Sequence, residues 1–306
     1  MNITIILNGI SKRKKKFYQT ILPVLEGRFS VEVLETQFPN HAQELAAEAV
    51  QKNVEVILSA GGDGTLNQVL NGMMRAAHQH PLPALGLIPL GSGNDFAGTV
   101  KLTDDVYSLI SLLNTNQPKL TDIGKVICRN KESHPIVHYF INVCSVGMGP
   151  ATVQRMETSV KWLPAGTRYL LAIIQTFFSH KPEPIELKSN TWNWKGKARV
   201  VAVANGQSFG HKIYVSPEAI PDDGLFEIFV AADVPLFKFL LYLQQIKAKK
   251  KIKNARIIYS SISQKDALRF EGVGHLANML EAEGELIGFL PAHIEIIPEQ
   301  IRFYRK

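Results

Sequence analysis

Two short glycine-rich segments carry the residues with the clearest chemical potential. The first, Leu58–Leu70, reads LSAGGDGTLNQVL and places the acid Asp63 among Gly61, Gly62 and Gly64. Glycines let the backbone turn sharply and present N–H groups with no Cβ in the way. A helix that begins just after them adds its positive end, so the segment can hold a phosphate group. An ordinary tight turn with a solvated acid explains the same glycines.

Asp63 creates an electrostatic conflict in such a loop, because a carboxylate repels a phosphate. A magnesium ion that bridges the two removes the conflict, as in phosphoryl-transfer sites generally. The first segment therefore predicts a nucleotide phosphate site that uses a divalent cation.

The second segment, PLGSGNDFAG at 89–98, repeats the plan of strand, glycine loop and helix. It does not spell G-x-G-x-x-G, because Phe96 stands where the third glycine belongs, and no P-loop lysine pattern follows either loop. Two similar glycine loops, separated by one helical crossover, still favour a nucleotide site. The nucleotide would then be held differently than in a Rossmann or P-loop protein.

The elements that must position these loops are strands that alternate with helices. Apolar runs such as ITIIL and VEVILSA alternate with amphipathic stretches, which predicts a parallel sheet with the loops at its carboxyl edge. After the first loop, apolar residues recur at three- and four-residue steps and predict one helix face, with Thr65 as its N-cap. The residues of that face are Leu66, Val69, Leu70, Met73 and Met74.

The pattern changes near residue 121, after which extended runs dominate. Two helical stretches interrupt them, Gly166 to Ser179 and Pro235 to Lys250. We predict an α/β nucleotide-binding domain with a parallel sheet at 1–121 and a mainly antiparallel β-sandwich at 122–295. The tail at about 296–306 is expected to pack back on the first domain.

Composition limits the classes of partner and compartment. The 306 residues carry a net charge of +7, which suggests an anionic partner or only a soluble basic surface. The two cysteines, Cys128 and Cys144, predict neither a disulfide framework nor a metal cluster. The start of the chain lacks the order of a secretory signal, and its apolar helices are too short to span a bilayer. We therefore expect a cytoplasmic protein.

The motifs in their order resemble one known family. GGDGTLNQVLNG followed by PLGSGNDFA is similar to the catalytic domain of the diacylglycerol kinase and sphingosine kinase family, in particular its bacterial lipid kinases; the more distant NAD kinases share GGDGT. Further landmarks follow in family order, namely ILNG, LTDIGKV, INVCSVGMG, VSPEAIPDDGLFEIFV and EAEGE.

The resemblance implies an ATP site, a reacting centre and a structural magnesium site. The ATP-binding residues would be Asn8, Thr36, Ala60, Gly61, Gly62, Asp63, Gly64, Thr65, Leu66, Asn67, Gly91, Ser92 and Asn94. Asn94 and the catalytic residue Asp95 would lie at the reacting end, with the catalytic residue Asp122 nearby at the domain junction and Glu283 as general base. The magnesium ion would be held by the Asp223 carboxylate and the carbonyls of Ile220 and Leu225.

Three positions depart from the family pattern. Glu283 replaces the usual aspartate of a D-G-E triplet, Gln68 replaces a glutamate, and Pro150 follows VGMG where an acid is common. Glutamate has nearly the same reference pKa as aspartate. Its extra methylene lengthens the reach, however, and a misplacement of about 1 Å can cost about a hundredfold in rate. The alternative to a catalytic role is that Glu283 is one solvated acid in a surface hairpin.

Two basic clusters, SKRKKK at 11–16 and KAKKKIKNAR at 247–256, suggest contact with an anionic membrane surface. A core-facing helix with a solvated lysine tail explains the second cluster as well. No motif supports nucleic-acid binding.

The expected activity is transfer of the ATP γ-phosphoryl group to the hydroxyl of a membrane lipid at the inner membrane face. The alternatives are a non-catalytic lipid- or nucleotide-binding protein and a kinase of a soluble acceptor such as NAD. The acceptor lipid and the oligomeric state, a homodimer included, stay open.

Overall fold

The computed structural model describes residues 1–115, 117–158, 162–272 and 278–306. The chain forms two compact units. The first contains Met1–Thr121 and Glu299–Lys306, and the second contains Asp122–Pro298. The last eight residues therefore belong to the first unit, where Tyr304 is buried in the apolar core.

Four strands of the first unit run parallel to one another. They lie in the order β2, β1, β3, β4 and are β1 Asn2–Leu7, β2 Ser30–Glu35, β3 Val56–Gly61 and β4 Ala84–Pro89. Every residue of β3 and β4 is buried, which is typical of parallel strands that are covered on both faces. The two glycine loops begin where β3 and β4 end.

Helices connect these four strands and follow the last of them. They are α1 Lys14–Lys16, a π-helical turn Phe17–Ile21, α2 Leu22–Glu26, α3 His41–Gln51, α4 Asp63–Ala76, α5 Asp95–Thr99 and α6 Val106–Thr115. The predicted apolar face of α4 is buried. The prediction that Thr65 caps this helix is wrong, because α4 begins at Asp63 with Gly62 as its N-cap. The Thr65 hydroxyl instead accepts a hydrogen bond from the Asn8 amide at 3.0 Å.

The strands of the second unit pair antiparallel around a separate apolar core. They are β5 Lys119–Arg129, β6 Pro135–Phe140, β7 Val143–Gly147, β8 Glu183–Lys188, β9 Asn193–Ala204, β10 Leu225–Ala232, β11 Ile257–Ser263, β12 Ala267–Gly272, β13 Met279–Ala282 and β14 Glu285–Phe303. The final residues of β14 lie in the first unit, where Phe303 pairs parallel with Leu85 of β4.

The described residues of the second unit also form helices α7 Met148–Glu157, α8 Ala165–Ser179 and α9 Leu236–Lys247. The sequence pattern predicted that the last helix extends to Lys250. It ends earlier because Lys249 takes a left-handed conformation with φ 59°, which is a common way for a helix to stop. Helix α7 was not predicted from the sequence; it contains Gly149 and Pro150, two residue types that usually disfavour helices. Pro150 lies in the first helical turn, where proline is tolerated.

Gly72 of α4 provides a test of the packing between α3 and α4. A Cβ at this position would lie 2.2 Å from the Gln43 carbonyl oxygen and 2.8 Å from the Ala46 Cβ. We expect Gly72→Ala to lower the free energy of unfolding by about 1–3 kcal/mol, although alanine has the better helix propensity. Urea unfolding followed by circular dichroism measures the change.

The matched control is Gly98→Ala in α5, where a Cβ would meet nothing within 4 Å. This variant should be unchanged or more stable by up to about 1 kcal/mol. Equal effects of the two substitutions would contradict a tight contact at Gly72.

Candidate functional site

Asp63 joins the two glycine loops of the first unit. Its Oδ2 accepts the Asp95 N–H at 3.0 Å, and its Oδ1 accepts the Phe96 N–H at 3.0 Å. Both donors lie at the start of α5, directly after the second loop, where N–H groups lack partners within the helix. The acid in the first loop therefore satisfies and orients the amides that follow the second loop.

The glycines of the two loops touch one another. A Cβ on Gly91 would lie 2.4 Å from the Gly62 Cα, so no larger residue fits there without displacement of the backbone. The Leu90 and Gly91 amides also donate to the Gly61 carbonyl, at 2.8 and 3.0 Å. The two loops thus form one continuous turn-rich surface at the ends of β3 and β4.

This surface concentrates negative charge. Burial, and after it the charge of Asp95, raise the pKa of Asp63 to about 6, although the bonded amides of Phe96 and Asp95 oppose the rise. Asp95 itself is 4% exposed. A buried carboxyl group with a raised pKa beside a second buried carboxyl group forms a site that a cation stabilises. Oxygen donors of this kind suit Mg²⁺.

The other predicted nucleotide-binding residues of the first unit differ in exposure. Ser92 is exposed, and Gly64 and Asn94 are partly exposed. Asn94 closes the second loop, because its side chain accepts the Gly91 N–H at 3.0 Å and donates to the Gly91 carbonyl at 2.9 Å. At the end of β1, the Thr36 hydroxyl accepts the Gly9 N–H next to Asn8.

Ala60, Leu66 and Asn67 are buried instead. The Ala60 carbonyl accepts the Asn8 N–H, and the Leu66 N–H donates to the Gly62 carbonyl. Ala60 and Leu66 therefore support the first loop from its buried side, and the role of all three residues toward a nucleotide stays a prediction.

In the second unit, Glu283 lies in the two-residue turn between β13 and β14. Glu283 and Gly284 both have left-handed conformations, with φ 55° and 85°. Such a turn favours Asn-Gly or Asp-Gly, which explains why glutamate is unusual here. The Glu283 Oε1 accepts the N–H groups of Ile141 and Asn142 at 2.6 and 2.7 Å, and the residue is 6% exposed. The carboxylate is therefore held in one orientation by the main chain.

Asp122 and Asn205 connect the 141–142 segment to the turn predicted to hold the metal. The Asn205 amide donates to the carbonyls of Ile141 and Asp122 at 2.8 and 2.9 Å. The Asp122 Oδ2 accepts the Gly224 N–H at 2.9 Å. Sequence analysis missed Asn205, because an isolated asparagine gives no signal until its contacts are known.

The turn at 220–225 offers oxygen donors of the kind that Mg²⁺ prefers. Asp223, Ile220 and Leu225 are exposed. Partial desolvation of the carboxyl group, and then the nearby charge of Asp122, raise the pKa of Asp223. A carboxylate beside main-chain carbonyls fits a hard cation. Within the described part of the chain, no cluster of three or more His, Cys, Asp or Glu side chains could hold a metal ion. The predicted site would therefore depend on main-chain oxygens.

Glu281, on β13 next to the turn at Glu283 and Gly284, is a buried acid that was not predicted from the sequence. It is 1% exposed; its Oε1 accepts the Ser145 hydroxyl and its Oε2 accepts the Gly284 N–H at 2.9 Å. Burial raises its pKa to about 7, against the effect of these two hydrogen bonds. Leu280 and Ala282 belong to the apolar core, so alternation along β13 predicts an outward Glu281, and acids are rarely buried.

An apolar cavity of about 90 Å³ lies in the second unit. Residues of α7, α8, α9 and the neighbouring strands line it almost entirely with apolar atoms. They include Met148, Gly149, Tyr169, Ile173, Phe239 and Leu243. Its lining suits an alkyl chain better than a nucleotide or a sugar.

Two family descriptions match this chain. The diacylglycerol kinase catalytic domain matches residues 2–126, and the YegS C-terminal NAD kinase beta sandwich-like domain matches residues 142–305. The chain belongs to the diacylglycerol kinase-like family of lipid kinases. This confirms the resemblance drawn from the motifs and the two-domain organisation, with an N-terminal catalytic domain and a C-terminal β-sandwich domain.

Similar proteins are bacterial. "Probable lipid kinase YegS-like" of Klebsiella pneumoniae is 28% identical over 73% of this chain and 72% of its own length. "Probable lipid kinase YegS" of Salmonella arizonae is 25% identical over 97% of this chain and 94% of its own. A crystal structure of a diacylglycerol kinase from Bacillus anthracis has a TM-score of 0.73 and 19% identity, and covers 100% of this chain and 97% of that one. This last likeness shows the shared fold.

Across the described residues, no helix combines the length and the apolar character that a bilayer crossing requires.

Glu281 predicts a pH-dependent stability. In the folded protein its carboxyl group keeps a proton up to about pH 7, whereas in the unfolded chain the ordinary pKa is 4.5. Between these values the folded state binds the extra proton, so the free energy of unfolding falls as the pH rises. We expect this contribution to reach about 3 kcal/mol and to disappear in Glu281→Gln, which cannot titrate.

Urea unfolding of both proteins at pH 5 and pH 8 measures the difference. Other groups titrate equally in the two proteins, so only the difference between their pH dependences counts. Parallel curves would contradict the raised pKa of Glu281.

Proposed function

We propose that this protein is an ATP-dependent lipid kinase, which transfers the γ-phosphoryl group of ATP to the hydroxyl of a diacylglycerol-like, phosphatidylglycerol or sphingoid lipid. The observation that carries the proposal is the apolar cavity in the same unit as Glu283. NAD kinases share the GGDGT element, but a polar dinucleotide acceptor does not suit a cavity lined by alkyl and aromatic groups.

In this proposal the first unit binds ATP. The amides and small residues at Gly61–Gly64 and at Gly91–Asn94 approach the phosphates, while Asn8 and Thr36 border the nucleotide. A bound Mg²⁺ would offset charge on the phosphates. Asp63 and Asp95 are the residues that would hold it, which fits the raised pKa of Asp63. Asp63 would also keep the second loop aligned through its two main-chain hydrogen bonds.

The second unit would supply the acceptor and the general base. The lipid hydroxyl attacks the γ-phosphorus, Glu283 accepts the hydroxyl proton, and the bond to the ADP oxygen breaks. The Ile141 and Asn142 amides fix the Glu283 carboxylate, which compensates for the longer side chain. Asp122 acts as a positioning residue, because its carboxylate lies on the 220–225 turn, where a structural Mg²⁺ would stabilise the loop.

The outer faces of α8 and α9 favour contact with a membrane. On α9, Phe239, Tyr242, Leu243 and Ile246 line the cavity, yet Phe237 is 62% exposed and Leu241 is 50% exposed. A helix that is apolar on both faces is expected at a second apolar surface. Phe178 of α8 is also exposed. Exposed lysines follow α9 and complement an anionic leaflet. We infer a peripheral location at the cytoplasmic face.

Glu283 provides the test of catalysis. We expect Glu283→Ala to lower phosphate transfer by about 10²–10⁴-fold without weakening ATP binding, because it removes the proton acceptor and its two main-chain hydrogen bonds but leaves the glycine loops of the first unit unchanged. Glu283→Asp should retain activity. Gly91→Ala should instead weaken ATP binding, because its Cβ would displace Gly62. Incubation with labelled ATP and extracted membrane lipids, followed by identification of the labelled product, measures transfer.

Glu132→Ala, at an exposed loop of the second unit, is the control and should behave as the native protein. If the native protein and Glu283→Asp both bind ATP but label no lipid, the protein is a non-catalytic binding protein. Phosphorylation of NAD without any lipid product would favour the soluble acceptor.

The membrane contact is tested with Lys247→Gln/Lys250→Gln. Removal of two exposed positive charges should weaken binding to vesicles that contain phosphatidylglycerol by about thirtyfold at low salt, since each basic residue contributes about 1 kcal/mol. Binding to phosphatidylcholine vesicles should not change. Vesicle sedimentation at several salt concentrations measures both affinities.

The matched control, Lys131→Gln/Lys265→Gln, removes the same charge from exposed loops elsewhere in the second unit. An equal loss of binding in this control would show an effect of net charge alone, and the α9 surface would then have no special role.

A further inference from the structure

Glu281 holds the turn that carries Glu283. It lies directly opposite Ser145 in the antiparallel pair of β13 and β7. The Ser145 hydroxyl donates to one carboxylate oxygen, and the Gly284 N–H donates to the other at 2.9 Å. The side chain therefore bridges a fixed strand and the second residue of the turn.

The turn requires such support because of its backbone conformation. Glu283 and Gly284 are both left-handed, and this conformation costs a non-glycine residue roughly 1–2 kcal/mol. The Glu283 N–H donates to the Val143 carbonyl, and its carboxylate accepts two amides of the 141–142 segment. Glu281 contacts the turn at Gly284, the position that those hydrogen bonds leave uncovered.

Gly149 of α7 lies close to both Ser145 and Glu281. A Cβ on Gly149 would lie 2.0 Å from the Ser145 Oγ and 3.2 Å from the Glu281 Oε1. The first turn of α7 is thus packed directly on the Ser145–Glu281 pair. Gly149 also lines the apolar cavity, so the pair lies between the cavity wall and the turn.

We propose that Glu281 is a positioning residue, which fixes the Glu283 carboxylate through the Gly284 amide and is itself fixed by Ser145 and Gly149. This inference rests on the proposed role of Glu283 as general base. It adds a residue that does not contact the reacting atoms and that acts only through the shape of the turn.

Glutamine can reproduce the proposed hydrogen bonds. Its carbonyl oxygen accepts the Gly284 N–H, and its amide group donates to the Ser145 oxygen once the hydroxyl reverses. Alanine provides neither contact. Positioning therefore predicts that Glu281→Gln restores what Glu281→Ala loses, whereas a requirement for charge predicts that both fail.

The experiment compares kcat and the KM for ATP in these two variants. We expect Glu281→Ala to lower kcat by at least about thirtyfold with the KM for ATP within about twofold, because the base is displaced and the nucleotide loops are intact. Glu281→Gln should retain at least about a third of native kcat. Glu271→Ala, a surface acid on β12 paired with Lys188, is the matched control and should be native-like.

A double-mutant cycle tests that Glu281 acts through Glu283. In a Glu283→Ala background, Glu281→Ala should cause no further loss of kcat. Additive losses would overturn the proposal, as would native kcat in Glu281→Ala or equal failure of Glu281→Gln. Should Glu281→Ala fail to fold, Ser145→Ala removes one support of the carboxylate and should lower kcat by about three- to tenfold, with KM unchanged.

Amide hydrogen exchange separates this inference from the proposed function. The Gly284 amide should exchange at least about tenfold faster in Glu281→Ala and at the native rate in Glu281→Gln. If the native protein phosphorylates no lipid, the proposed function fails, and exchange at Gly284 still decides whether Glu281 holds the turn. An unchanged exchange rate of the Gly284 amide in Glu281→Ala would contradict the inference even if the protein is an active kinase.

Discussion

The carboxylate of Asp63 is the interaction on which the nucleotide-binding part of the structure depends. It accepts two amides that follow the other glycine loop, and so it fixes the relative positions of two segments about thirty residues apart in sequence. Glycine supplies the conformations and the close approach between the loops, but glycine alone leaves them flexible. A carboxylate held by main-chain amides makes this flexible pair into one pre-organised surface.

In the second unit, acidic side chains also accept hydrogen bonds from main-chain amides. The Glu283 carboxylate accepts two amides of the 141–142 segment, and Glu281 accepts the amide of Gly284. Buried charged groups are costly unless hydrogen-bonded, so carboxylates in these positions strongly restrict the loops around them. An enzyme that transfers a phosphoryl group depends mostly on positioning and electrostatics, and both proposed centres are built by acids that organise backbone.

The sequence predicted the domain organisation better than it predicted the local contacts. Motif order identified the family, and periodicity predicted the buried face of α4, because amphipathic patterns reflect burial directly. Thr65 was assigned as a cap from its residue type, yet the helix starts at Asp63, since the preceding glycines already permit the turn. Glu281, Ser145 and Asn205 gave no signal, because their roles arise from contacts between segments distant in sequence. The roles of the ATP, catalytic and metal residues stay predictions.

The path of β14 has a consequence for how the protein is made. The strand starts in the second unit and ends in the first, where Phe303 pairs with Leu85 and Tyr304 enters the core. During synthesis, the 1–121 segment emerges from the ribosome long before residues 299–306 exist. Its sheet is therefore left with an open edge beside β4, which exposes unpaired backbone groups until nearly three hundred residues have been translated. The nascent N-terminal unit should consequently depend on chaperones, or on slow elongation, more than a contiguous domain of its size.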